Sequence, residues 1–261
     1  MVVGYYRNWY FNHRVTDNLA VSPADYSPFS ITAPVDPRLP GGGGNRISGL
    51  YDLSPAKVGQ VDNLETQASN FGTRKIINDF LGVNFQTRFG SGIQLGGGID
   101  GGRSVTDNCF VVDSPQQLLF CRVVTSFKDQ TQLKVHGSYP LPAGFVVSAI
   151  LNNTPGPVLL ANYTVTRAQI QGLDRPLSTS SRSVPLIDPN TNLREPRIRS
   201  VDVKISNTIR MGRYRLRPNL GLYNALNNSP IIRRNNTYGP LWGPEETLGG
   251  RLLQFSAELT F

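Results

Sequence analysis

One pattern limits what this chain can fold into: apolar and polar residues alternate in runs of about ten. In Asp79–Phe89, Leu81, Val83, Phe85 and Phe89 occupy odd positions, with Thr87 as the gap, against Phe80, Gly82, Asn84, Gln86 and Arg88. After Gly90-Ser91-Gly92, Ile93, Leu95, Gly97 and Ile99 oppose Gln94, Gly96, Gly98 and Asp100. Gln132–Leu141 sets Leu133, Val135, Gly137, Tyr139 and Leu141 against Gln132, Lys134, His136 and Ser138, and Phe145, Val147, Ala149 and Leu151 follow Pro142-Ala143-Gly144. Arg199–Ile209 repeats the design. So does the stretch after Met211-Gly212, with Tyr214, Leu216, Leu220 and Leu222 against Arg213, Arg215, Arg217, Asn219 and Tyr223. The chain ends with Leu253, Phe255, Ala257, Leu259 and Phe261 against Gln254, Ser256, Glu258 and Thr260. Successive side chains of a strand point to opposite faces, so each run predicts a strand with one apolar and one polar face. Helical spacing is nowhere kept for three turns. No run of 18 apolar residues exists, so a transmembrane helix is excluded.

The spacing between runs is asymmetric. Tight turns at Gly90–Gly92, Pro142–Gly144 and Met211–Gly212 alternate with very long connections, Val15–Phe71, Val105–Asp129, Thr166–Pro196 and Asn227–Gly249. Structureless loops of that length are uncommon in compact soluble domains. They are ordinary on the outer side of a membrane barrel. Only 17% of residues are charged and 39% hydrophobic, which suits a wall with one apolar face, one uncharged polar face and polar loops. The expected fold is therefore all-β: an antiparallel meander of about 8–10 strands forming part of a transmembrane β-barrel with long extracellular loops. A soluble β-sandwich also alternates, so single runs are weak evidence. Pro218 removes a ladder hydrogen bond, so a bulge or local break is expected there. The facing of Val2–Arg14 is open: Tyr5, Trp9 and Phe11 share a side with Arg7, and Tyr6 and Tyr10 share the other with Asn8.

The remaining motifs narrow the function. A net charge of +8 raises nucleic acid as a partner, but no basic amphipathic helix, RNA-binding signature or zinc-finger spacing accompanies it. Gly96-Gly97-Gly98-Ile99-Asp100-Gly101 imitates a dinucleotide fingerprint without the following helix, so small residues beside a close neighbour are the better reading. Gly41–Gly44 lacks the lysine and Ser/Thr of a phosphate loop. His13 and His136 stand without a cysteine or carboxylate cluster, and no nucleophile elbow or carboxylate pair stands out. The expectation is no enzyme, no metal and no cofactor. Cys109 and Cys121 flank a segment with a turn at Asp113-Ser114-Pro115; they read as a disulfide, with two unpaired thiols as the alternative. A disulfide implies an oxidising compartment. The opening MVVGYYRNWYFNHR has no signal-peptide pattern and reads as a strand begun in mid-stream. By the alternation, Arg88, Lys134, Arg213, Arg215 and Arg217 point into a lumen. There they would meet acidic groups of a ligand or of an inserted domain.

At the C-terminus, alternating apolar residues ending in Phe261 resemble the last strand of outer-membrane barrels. LYNALNNSP (Leu222–Pro230), TDNLAVSPADY (Thr16–Tyr26), LYDLSPAKVGQVDNL (Leu50–Leu64) and GRSVTDNCFVVDSPQQLLFC (Gly102–Cys121) resemble TonB-dependent outer-membrane receptors of the acidobacterial type with a carboxypeptidase regulatory-like domain. The resemblance covers nearly the whole chain and says nothing about the ligand. It implies that residues 1–261 are the C-terminal part of a receptor barrel, without the signal peptide, plug and N-terminal strands. It further implies residence in the cell outer membrane and import of a scarce ligand. Phe255, Ala257, Leu259 and Phe261 would be the signal read by the barrel-assembly machinery. The plug domain and TonB complex would be partners only of the full-length receptor, and outer-membrane lipid the partner of the wall. Two alternatives remain: a small self-closing pore or adhesin barrel, and a secreted soluble β-domain binding glycans.

Overall fold

All 261 residues are described in the computed structural model. Eight long strands follow the alternating runs: β1 (Val2–Tyr10), β2 (Lys75–Arg88), β3 (Gln94–Asp107), β4 (Gln132–Pro140), β5 (Phe145–Thr154), β6 (Ile198–Asn207), β7 (Tyr214–Tyr223) and β8 (Leu252–Thr260). Each pairs antiparallel with its sequence neighbour, so the sheet is an up-and-down meander. Two short strands, Arg122–Thr125 beside β3 and Ile209–Met211 beside β7, bring the sheet to ten. The only α-helix is a single turn, Phe127–Gln130. The sheet does not close on itself: β1 and β8 each pair along one edge only.

The turns expected from the sequence join β2 to β3, β4 to β5, and Ile209–Met211 to β7, and each uses left-handed backbone. Gly92, Gly144 and Gly212 have φ of 84°, 78° and 62°, where a side chain is disfavoured. The break expected at Pro218 occurs in its neighbour. Pro218 keeps register with Ala257 of β8, while β6 ends at Asn207 and pairing resumes at Ile209. A proline offers no N–H to that side, so the ladder stops opposite it without a bulge.

Every buried apolar side chain lies in a connection, and none in the eight wall strands. The long connections, expected to be structureless, instead fold into a cap. Tyr26–Thr32, Arg46–Leu53 and Ile170–Gln171 form a three-stranded sheet, and Asn162–Val165 pairs with Arg182–Pro185. Phe29, Ile31, Ile47, Leu50, Val165, Ile170, Leu173 and Val184 bury one core between the first and third long connections. Leu39, Ala161, Ile187 and Trp242 bury a second that adds the fourth. The hydrophobic effect holds the cap together, whereas backbone hydrogen bonds hold the wall.

Candidate functional site

The wall presents two chemically distinct faces, fixed by the register. On one face, cross-strand partners run Val3, Val83, Ile99 and Leu133; Phe85, Gly97, Val135, Leu151 and Val201; and Tyr139, Val147, Ile205, Leu220 and Phe255. These side chains are largely exposed, Phe255 to 75%. Contiguous exposed apolar surface of this extent marks an interaction with lipid or protein. Along the strands it runs from Leu81 to Phe89 and from Leu133 to Tyr139, which are about 27 Å and about 20 Å at 3.3 Å per residue. An outer-membrane apolar band is about 25 Å tall. The band has marked ends. Phe89, Tyr139, Phe145, Tyr214 and Phe261 are spaced along the tight-turn end of this face. Toward the cap, Arg7, Asp79 and Arg103 form a charged row across β1, β2 and β3, with Arg7 Nε 3.5 Å from Asp79 Oδ1. Trp9, Ile77 and Val105 continue the face beyond that row. The open facing of the first strand is thereby resolved: Tyr5, Arg7 and Trp9 share the apolar side, and Tyr6 pairs with Phe80 on the other.

The opposite face is polar and mostly uncharged. One row runs Arg88, Gln94, Ser138, Ser148, Lys204, Gly221 and Gln254; another runs Gln86, Gly96, His136, Ile150 and Asp202. A groove of about 250 Å³ lies along Gln86, Gln94, His136, Ser138 and Ser148. The glycines of β3 serve packing here. A Cβ on Gly98 would lie 2.0 Å from Asn84 Oδ1, and one on Gly96 2.8 Å from His136 Nε2. The segment imitating a dinucleotide fingerprint is strand throughout.

Arg88, Lys134, Arg215 and Arg217 all lie on the polar face. They do not form one cluster. Arg88 is on β2 and Arg215 on β7, five strand spacings or about 24 Å away along the sheet. Lys134 sits at mid-height between Gly98 and Asn152, and Arg217 faces Glu258. Arg213 is in the tight turn, where it stacks 5.0 Å from the Tyr214 ring and donates to its hydroxyl at 2.9 Å. None of the five makes a salt bridge within the chain. Phe255, Ala257 and Leu259 pair with Leu220, Pro218 and Leu216 on the apolar face of β8, and Phe261 follows that strand.

Cys109 and Cys121 form a disulfide with Cα atoms 4.9 Å apart. They sit just past the cross-strand pair Asp107 and Arg122, which already brings the chain close. No three His, Cys, Asp or Glu side chains converge to hold a metal.

The cap holds two polar clusters that alternation alone did not reveal. Asp52 is 0% exposed and accepts hydrogen bonds from Arg175 Nη1 (2.6 Å), Ser178 Oγ (2.7 Å), Ser178 N (2.9 Å), Arg182 Nε (2.8 Å) and Arg182 Nη2 (2.7 Å). Burial pushes its carboxyl up, but the bonds from Ser178, Arg175 and Arg182 outweigh it and hold the group below its ordinary value. The signal was present in the sequence: Asp52 shares its strand side with Leu50, so a carboxylate points into an apolar core. The second cluster centres on Trp242, which donates from Nε1 to Leu160 O (2.8 Å) and is flanked by Arg38 and Arg234 at 5.4 and 4.6 Å. Arg38 also forks onto Asp36, and that pairing holds the Asp36 carboxyl far below its ordinary value. Arg234 pairs with Glu195. These contacts join three of the long connections into one cap.

No family model matches the chain, and no curated protein or solved structure is significantly similar to it.

Proposed function

We propose that this chain is a segment of an outer-membrane β-barrel of the TonB-dependent receptor type, with the cap on the outer side collecting a ligand for import. One observation carries the reading: a two-faced antiparallel meander exposes an apolar band of about 20–27 Å and buries its only hydrophobic cores in the cap. A soluble protein of this architecture would bury the apolar face of its sheet. In this reading that face meets lipid, and the polar face meets water or an inserted plug. Lipid leaves no room for unpaired backbone at sheet edges, so the free edges of β1 and β8 pair with further strands in the complete barrel. Arg88, Arg215 and Arg217, unpaired near the tight-turn end of the polar face, then face carboxylates of the plug. Charge reversal at Arg215 and Arg217 that leaves plug docking and uptake unchanged removes that role.

A self-closing pore is the second reading, because eight long strands equal the smallest membrane barrels. Membrane fractionation separates the two. An antibody against the Thr16–Tyr26 segment detecting an outer-membrane band well above 28.7 kDa supports the receptor. A 28.7 kDa membrane band that conducts ions in bilayers supports the pore. Protein found only in the soluble fraction rejects both.

A further inference from the structure

Where β2 begins, the wall meets the cap at a polar cleft with no part in the reading above. It has a volume of about 360 Å³ and is lined by Arg14, Thr16, Arg74, Asn108, Phe110 and Gln117. A second cleft of about 310 Å³ lies against His13, Gln67 and Arg74, so Arg74 lines both. Two other cations nearby are answered: Arg14 pairs with Glu65 at 3.2 Å and Arg122 with Asp107 at 3.7 Å. Arg74 has no acid within salt-bridge reach, and its Nε is shut from water without a partner. Asn108 Oδ1 and His13 Nε2 are in the same condition. Seven buried side-chain atoms of the chain lack a partner, and three of them belong to residues that line this pair of clefts; Arg74, which lines both, is the charged group among them left without a counter-ion.

The chemistry of that ligand follows from the lining. A free guanidinium fork matches a carboxylate with two parallel hydrogen bonds, and it does so better than a point charge. The Thr16 hydroxyl and the Asn108 and Gln117 amides supply the uncharged donors and acceptors that sugar hydroxyls need, and Phe110 supplies an apolar surface. The walls are also held in place. Phe110 and Gln117 lie within the loop closed by Cys109–Cys121, and Asn108 immediately precedes it. Asn108 N donates to Cys121 O at 2.9 Å, and the Gln117 side-chain oxygen accepts from Val112 N at 2.8 Å, leaving its NH₂ free. Gly72 lets Phe110 pack onto the backbone, where a Cβ would lie 2.5 Å from Phe110 Cβ. We propose that this cleft binds the carboxylate of an acidic sugar at the outer surface, with Arg74 as its anchor.

The inference deepens the receptor reading by naming a ligand class, yet binding is measured on the purified full chain in detergent and needs neither uptake nor TonB. The probes are a galacturonate trisaccharide and the neutral galactose trisaccharide, followed by calorimetry. The expected result is binding of the acidic probe, at least about tenfold weaker binding of the neutral one, and weakening with added salt. Arg74→Ala weakens the acidic probe roughly ten- to hundredfold, the loss of a hydrogen bond to a charged group. Arg74→Gln gives the same reading if the alanine variant does not fold, since it keeps a side chain of similar reach without the charge. Reducing Cys109–Cys121 also weakens the acidic probe. Equal binding of both probes, binding of neither, or unchanged affinity in a folded Arg74 variant overturns the proposal. Membrane fractionation is a separate measurement, so either reading can fail alone.

Discussion

Replacing Asp52 with alanine should loosen the cap while leaving the wall intact. The carboxylate is the sole acidic partner of two guanidinium groups: Arg175 at 2.6 Å and Arg182 at 2.7 Å, whose side chains are 23% and 33% exposed. Removing one member of a buried ion pair costs about 3–5 kcal/mol, because the remaining charge is stranded. Here both arginines keep some access to water and can turn outward, so the cost falls at the lower end, about 3 kcal/mol. That equals roughly a 150-fold rise in the open population of the cap. The assay is hydrogen exchange at Val165, Ile170 and Val184, whose side chains fill the first core. Exchange at these amides should quicken by that factor, and exchange within β4 and β5 should not change. A triple variant with Asp52, Arg175 and Arg182 all replaced by leucine or methionine should recover much of the loss, since an apolar set leaves no stranded charge. The pH dependence has a fixed sign. The Asp52 carboxyl lies below its ordinary value in the folded cap. Its contribution is therefore complete above about pH 4 and disappears as pH falls through the lower folded value. An exchange increase below about threefold in Asp52→Ala would falsify the view that this network locks the cap.

Three further outcomes follow from the same structure. Replacing Leu151 with arginine on the apolar face should cost about 2–4 kcal/mol of stability in bilayers, whereas Ser148→Arg on the polar face should cost under about 1 kcal/mol; urea unfolding from vesicles reads the difference. Gly98→Val drives a Cβ to 2.0 Å from Asn84 Oδ1 and should destabilise the β2–β3 pairing by about 1–3 kcal/mol, seen as a lowered melting temperature. Breaking the Cys109–Cys121 bond frees a loop between residues 12 apart and should cost about 2–3 kcal/mol, with faster proteolysis between Phe110 and Phe120 and unchanged cleavage elsewhere.

The wall was legible because its code is local. Period-two alternation and a tight turn need only adjacent residues, so the eight long strands, their order and the glycine-based turns could be read directly. Pro218 was read correctly for the same reason, although the broken ladder lies in its partner. The cap was not legible. Its cores join Phe29 and Leu50 to Val165 and Val184, more than a hundred residues on, and its strands are only two to eight residues long. Strands this short hold too few residues to establish a period, and the Pro-, Gly- and Asn-rich stretches between them read as loops. The basic residues expected to face a lumen show the opposite limit. Alternation assigned Arg88, Lys134, Arg215 and Arg217 to one face, but it contains no distance, and the register spreads them across the sheet. Arg74 escaped notice because it precedes its strand, where alternation has nothing to say.

The central claim is that the face carrying Val147, Ala149 and Leu151 meets lipid and the face carrying Val146, Ser148 and Ile150 meets water or protein. Spin labels on single cysteines placed in turn at these six positions of β5, in the full chain within native outer membranes, test it directly. The account predicts a period of two: labels at 147, 149 and 151 accessible to oxygen and shielded from a water-soluble nickel reagent, and labels at 146, 148 and 150 the reverse or shielded from both. Equal accessibility at neighbouring positions, or high nickel accessibility at all six, would contradict it.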